Sequence, residues 1–161
     1  MFYEDVFKKL NKARVDYLVA GGVALVLHGV VRLTADLDLL VHLDRKNLEK
    51  FIEVMAELGY KPKLPVDVRE LMDHEIREKW INEKNMKVFS FYNPNEPISL
   101  IDIFVNEPID YGMLKENSIK VKSENLTIPV VSIHDLIKMK KISGRPQDIA
   151  DINALKEKLK R

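Results

Sequence analysis

The sequence predicts an α/β (α+β) fold, on three observations: short apolar runs bounded by glycine or turn residues, amphipathic segments with cap signals between them, and two further helices at the C-terminal end. Its 161 residues are enough for one domain with a substantial core, and they are read as a single domain over 1–161, with 131–161 as C-terminal helices. Hydrophobic residues make up 46% and charged residues 32%, the balance of an ordered globule rather than a disordered chain.

The elements follow in order. Phe2, Val6, Phe7, Leu10 and Ala13 recur at helical spacing, so residues 3–13 are predicted helical. The run from Val15 to Ala20 is a buried strand broken by Gly21-Gly22, and 23–29 is a short buried helix ending at Gly29. Residues 36–41 alternate: Leu37, Leu39 and Val41 share one face, Asp36, Asp38 and Leu40 the other. Asp44 caps a helix from Arg45 to Leu58 that stops at Gly59. Pro62 and Pro65 mark an extended connection, and 67–83 is a charged helix with a narrow stripe of Val68, Leu71, Met72, Ile76 and Trp80. Strands are expected at 86–92 and 98–105, joined by an Asn- and Pro-rich turn. A smaller hairpin follows at 118–122 and 126–131, with Pro129 indicating an edge strand. Ser132 opens a helix to about Ser143, Gly144 ends it, and Pro146 starts the last one.

Composition excludes several kinds of chemistry. With no cysteine there is no disulfide framework, thiolate zinc site or cysteine nucleophile, and a reducing cytoplasm is the expected setting. The first residues lack a signal-type apolar stretch, and no segment approaches the roughly 20 apolar residues of a membrane span. A net charge of +1 gives no overall basic field, so any nucleic-acid contact would be local. His42, His74 and His134 have no metal-ligand spacing, and neither a Ser-His-Asp order nor a P-loop lysine is present.

The informative tract runs from Leu18 to Leu39. A strand ending in Gly21-Gly22 and followed at once by a helix offers backbone N–H groups at a positive dipole end, without a Cβ to obstruct a phosphate. Asp36 and Asp38, two apart on a strand, put like charges on one face. A hard divalent cation shared with substrate phosphates answers that repulsion. Asp102 places a third carboxylate inside ISLIDIFV, where an isolated charge marks a site or a buried pair with an arginine.

These residues resemble the DNA-polymerase-β-like nucleotidyltransferase superfamily. Its pattern is an apolar residue, Gly, then Gly or Ser, a short spacer, Asp-apolar-Asp, and a later third acidic residue. The stretch Gly21 to Asp38, with Ala24, His28-Gly29, Arg32 and Thr34 between, is similar to the AbiEii-like group and its minimal stand-alone relatives. So is Lys138 through Gly144-Arg145-Pro146-Gln147-Asp148-Ile149-Ala150-Asp151. The resemblance implies a mixed sheet flanked by helices, two Mg²⁺ (or Mn²⁺) ions, and transfer of a nucleoside monophosphate from an NTP with release of pyrophosphate. It implies Asp36, Asp38 and Asp102 as catalytic and metal-binding residues, and Gly21, Gly22, Arg32, Thr34 and Lys138 as nucleotide-binding. The expected acceptor is tRNA or a protein hydroxyl, as in toxin-like relatives. The competing readings are a non-catalytic nucleotide- or partner-binding module of antitoxin or scaffold type, and small-molecule transfer as in antibiotic-modifying relatives.

One departure stands out. Many active relatives carry Ser where this chain has Gly22, and Thr34 or Arg32 is the expected source of the missing contact. A serine restored at position 22 is expected to fit the fold and to tighten triphosphate binding. His28 reads as a satisfied structural histidine, Trp80 as core, and Asp148 and Asp151 as partners of Arg145 or as site residues.

Overall fold

The computed structural model describes residues 2–161, which group into two compact units. Of the described residues the first takes in 2–17 and 35–106, the second 18–34 and 107–161.

The first unit begins with α1 (Glu4–Lys12), whose buried face is Val6, Phe7 and Leu10. Its strands are β2 (Asp36–Val41), β3 (Lys61–Pro62), β4 (Val88–Asn93) and β5 (Glu96–Phe104), in the order β3-β4-β5-β2. β2 and β5 run parallel, while β3–β4 and β4–β5 are antiparallel. Leu37, Leu39, Ile101, Ile103 and Phe89 are fully buried along one face of these strands. Packed in the same core are Phe7 of α1 and Phe51 of α3 (Arg45–Glu57). Asp44 caps α3 by accepting from the Asn47 N–H at 2.7 Å, as its position before the apolar periodicity predicts.

The charged helix expected at 67–83 is divided. Val68–Met72 is a 3₁₀ turn, and Asp73 caps a separate α4 (His74–Lys84) through the N–H groups of Glu75 and Ile76. Asp73 competes for backbone donors more effectively than helix continuation does, which is why the stripe breaks there. Trp80 stacks on Phe89 with centroids 5.5 Å apart and is core.

The chain passes into the second unit within β1 (Tyr17–Ala20). Gly21 and Gly22 are themselves the first residues of α2 (Gly21–Leu27), rather than a break before it. α5 (Tyr111–Asn117), a helix the sequence reading did not anticipate, is capped by Asp110 and buries Tyr111 and Leu114. β6 (Ile119–Ser123) and β7 (Leu126–Val130) form the hairpin, and the order in this unit is β1-β7-β6. Pro129 therefore lies on a strand with a neighbour on each side, not on an edge. The Val131 N–H donates to Val19, so alternation turns the missing donor of Pro129 toward β1, and the ladder to β6 loses nothing. α6 (Ile133–Ser143) is capped by Ser132 and stopped by Gly144 in the left-handed region, and α7 (Pro146–Leu159) completes the C-terminal pair. Among the described residues no helix is long and apolar enough to cross a membrane.

Tyr3 fastens the strands of the first unit at the end where the carboxylates begin. Its hydroxyl donates to the Ala35 carbonyl and accepts from the Leu100 N–H at 3.1 Å. Burial pushes this phenol up to about 12, with the Leu100 backbone hydrogen bond opposing the shift. Tyr3→Phe removes both contacts and leaves a part-buried N–H without its partner, so it is expected to lower stability by about 1–3 kcal/mol. Urea denaturation measures this, and faster hydrogen exchange at Leu100 localises it.

Candidate functional site

The candidate residues of the first unit come together through strand register. Parallel pairing sets Asp36 beside Leu100 and Asp38 beside Asp102, so side chains at matched positions share a face. That face carries Asp36, Asp38 and Asp102, and the opposite one is the apolar core. Asp36 is exposed, while Asp38 and Asp102 are half-buried. Antiparallel pairing brings Ser90 of β4 opposite Asp102, and its hydroxyl donates to Asp102 Oδ1 at 2.5 Å. Lys63 follows β3 and donates its backbone N–H to Ser90 at 2.9 Å; its ammonium charge also acts on Asp102.

Burial raises the Asp102 carboxyl above the ordinary carboxylate range, and the charge of Asp36 adds to the shift. The Ser90 hydrogen bond and Lys63 oppose it. A cation would relieve this imbalance, and three carboxylates supply the hard oxygen donors that Mg²⁺ or Mn²⁺ takes. Among the described residues no three carboxylate or imidazole groups close into a ready cage. Mg²⁺ does not require one, since it is held by one or two carboxylates together with substrate phosphates. The donor chemistry and the shared face therefore fit such an ion.

The candidates of the second unit form another cluster. Gly21 has a left-handed φ of 62°, which a side chain would strain. Gly22 is buried against Thr34 and Arg32: a Cβ added there would lie 2.5 Å from Thr34 Oγ1, 2.9 Å from Thr34 Cβ and 3.5 Å from the Arg32 guanidinium carbon. The expectation that a serine fits at position 22 is thus corrected, because Thr34 fills that space. Thr34 precedes β2 rather than belonging to it, so strand alternation does not orient it.

Arg32 donates to Asp151 at 2.7 Å, and Lys140 reaches the same carboxylate at 2.8 Å and Asp148 at 3.5 Å. Lys140 is therefore buried in an ion-pair network and is not part of a solvated basic face. Arg145 donates its backbone and guanidinium N–H groups to Asp148. Although burial opposes it, those bonds hold the Asp148 carboxyl below the usual range. Lys138 is exposed, with Asp135 at 3.8 Å. His28 Nε2 bonds the Val131 carbonyl at 2.8 Å, the structural role expected of it.

Ser90, Lys63 and Tyr3 escaped the sequence reading. Ser90 had a usable signal, as a small polar residue among the apolar positions of a strand; Lys63 and Tyr3 had none.

Solved structures with this architecture share a class. The lincosamide antibiotic adenylyltransferase LnuA, solved with lincomycin, is 19% identical with a TM-score of 0.61, covering 94% of this chain and 92% of its own. ANT(2″)-Ia, solved with adenylyl-2″-tobramycin, is 13% identical with a TM-score of 0.61, covering 96% and 86%. An antigenic nucleotidyltransferase-like protein from Paracoccidioides brasiliensis is 16% identical with a TM-score of 0.54, covering 93% and 71%. The fold is that of nucleotidyltransferases. Among curated proteins none matches the sequence. Residues 10–160 match the family described as the nucleotidyl transferase AbiEii toxin of type IV toxin–antitoxin systems, and the chain belongs to that family.

Two outcomes are expected. Gly22→Ser should lower the melting temperature and leave triphosphate affinity no tighter, because it displaces Thr34; overpacking of this kind costs about 1–3 kcal/mol. Combining it with Thr34→Gly should recover the stability, and a calorimetric titration with a non-hydrolysable NTP reads the affinity. The second outcome concerns pH. Folding raises the Asp102 carboxyl, so its contribution is most favourable below the unfolded-state value and is lost as pH rises through the folded one. In chelator, Asp102→Asn should therefore melt higher than the native protein at neutral pH, with an advantage that shrinks as pH falls through the folded value. An advantage that persists unchanged into acid would contradict the burial account.

Proposed function

We propose that this chain transfers a nucleoside monophosphate from an NTP to an acceptor hydroxyl on RNA or protein, with Mg²⁺ or Mn²⁺ as the required ion. The observation that carries the reading is the register of Asp38 beside Asp102, with Asp36 two residues earlier on the same face. The acceptor oxygen bonds to the α-phosphorus, the bond to the β-phosphate bridging oxygen breaks, and pyrophosphate leaves. A divalent cation supplies neutralisation of the triphosphate and a lower pKa for the acceptor hydroxyl. Asp36 and Asp38 would hold it, and Asp102 would either share it or take the acceptor proton; burial suits Asp102 to both roles.

In this reading Gly21 and Gly22 present backbone N–H groups to the triphosphate. Thr34 supplies a hydroxyl in place of the one that Gly22 lacks, and Arg32 and Lys138 supply charge. Arg32 keeps one guanidinium nitrogen on Asp151, which orients it while leaving other donors for an anion. Lys138, exposed on α6, can swing to a phosphate as a compact charge.

The lack of a hydroxyl on Gly22 favours one second reading, a nucleotide- or partner-binding module that transfers nothing. A single assay separates the two. The purified protein is incubated with each α-labelled NTP, Mg²⁺ and, separately, total RNA, total protein, or the small-molecule acceptors lincomycin and tobramycin. Label should pass to RNA or protein, and Asp38→Asn should reduce it on the order of 10²–10³-fold. Transfer that survives Asp38→Asn would remove the carboxylates from the chemistry. NTP binding without transfer to any acceptor would select the module.

A further inference from the structure

The Asp102 carboxylate has a built-in orienting partner. Ser90 lies directly across the β4–β5 ladder, and its hydroxyl donates to Oδ1 at 2.5 Å. β4 is otherwise apolar around this point: Phe89 and Phe91 are fully buried on the other face. The backbone of Ser90 is fixed as well, because its carbonyl accepts the Lys63 N–H at 2.9 Å. Ser90 is half-buried, so its hydroxyl is spent on Asp102 rather than merely solvating the surface.

We propose that Ser90 is a positioning residue for the carboxylate site: it holds Asp102 by one oxygen and leaves the other, Oδ2, to bind a divalent cation. The inference rests on the metal-dependent reading above. Without the hydroxyl, Asp102 is free to rotate and its charge loses a hydrogen bond, so the cation meets a ligand that is neither oriented nor fully preorganised. Partners of this kind change metal affinity by about 10–100-fold when removed.

The probe is Mn²⁺ alone, titrated into the full chain at neutral pH, with free Mn²⁺ counted by electron paramagnetic resonance. Wild type should bind, and Asp38→Asn should abolish binding. Ser90→Ala should weaken binding about tenfold or more, with little change in melting temperature. Ser90→Thr, which keeps the hydroxyl, should bind within about threefold of wild type. Should Ser90→Ala fail to fold, Ser90→Cys keeps the volume but only a weak donor, and should show the same loss. Ser90→Ala binding as tightly as wild type overturns this inference and leaves the carboxylate site standing. So does a loss that Ser90→Thr fails to rescue. Mn²⁺ uptake that is absent in wild type overturns this inference; uptake indifferent to Asp38→Asn overturns the carboxylate assignment of the metal-dependent reading and this inference with it.

Discussion

Parallel pairing between β2 and β5 places like charges side by side and has to be held against their repulsion. Like charges opposite one another on neighbouring strands are destabilising, and the charge of Asp36 helps to raise the Asp102 carboxyl. On the reverse of the same strands Leu37, Leu39, Ile101 and Ile103 are fully buried, and each such side chain contributes about 1.5–3 kcal/mol. The apolar face outweighs the charged one, so the strands stay in register with Asp38 beside Asp102. A one-residue slip would turn the carboxylates into the core and the leucines into solvent. The site is therefore a by-product of the core's own register, and Tyr3 closes the open end of that pairing.

A different solution operates in the second unit. There Lys140, Asp148 and Asp151 are buried, and each meets a partner of opposite sign. Lys140 meets both Asp148 and Asp151, and Asp151 also holds Arg32. Such a network adds little net stability relative to an apolar core, because desolvation offsets much of the attraction. It does fix the Arg32 guanidinium, beside Gly22 and Thr34. Close packing of Thr34 on Gly22 gives that glycine a steric reason to be there.

Membership of the AbiEii family and the nucleotidyltransferase fold set the kind of chemistry, while the acceptor depends on surfaces that the fold does not specify. Two of the neighbouring structures carry lincomycin or an adenylylated tobramycin, so proteins of this fold include enzymes with small acceptors. In this chain the three carboxylates and Ser90 are all on regular strands, which suits precise positioning. The nucleotide-contacting candidates lie at the start of a helix, on the segment before β2, and on α6.

The sequence by itself determined the elements whose signals are local. β2 has the predicted bounds because its alternation lies within six residues. The caps at Asp44 and Ser132, the stop at Gly144 and the start at Pro146 each depend on one residue and its nearest backbone. The aspartates at 36, 38 and 102 were legible because charge on an apolar strand is costly and needs a cause. Tertiary structure decided what depends on partners distant in the chain. Pro129 lies on an interior strand because β1 and β6 flank β7. Lys140 is buried because α7 brings two carboxylates to it, and α5 is stabilised by burial of Tyr111 and Leu114 rather than by a periodic stripe. Ser90 and Asp102 are twelve residues apart, and only antiparallel register makes them a pair. Propensity and capping act over a turn or two of chain, whereas register, burial and ion pairing are set by which strands and helices meet.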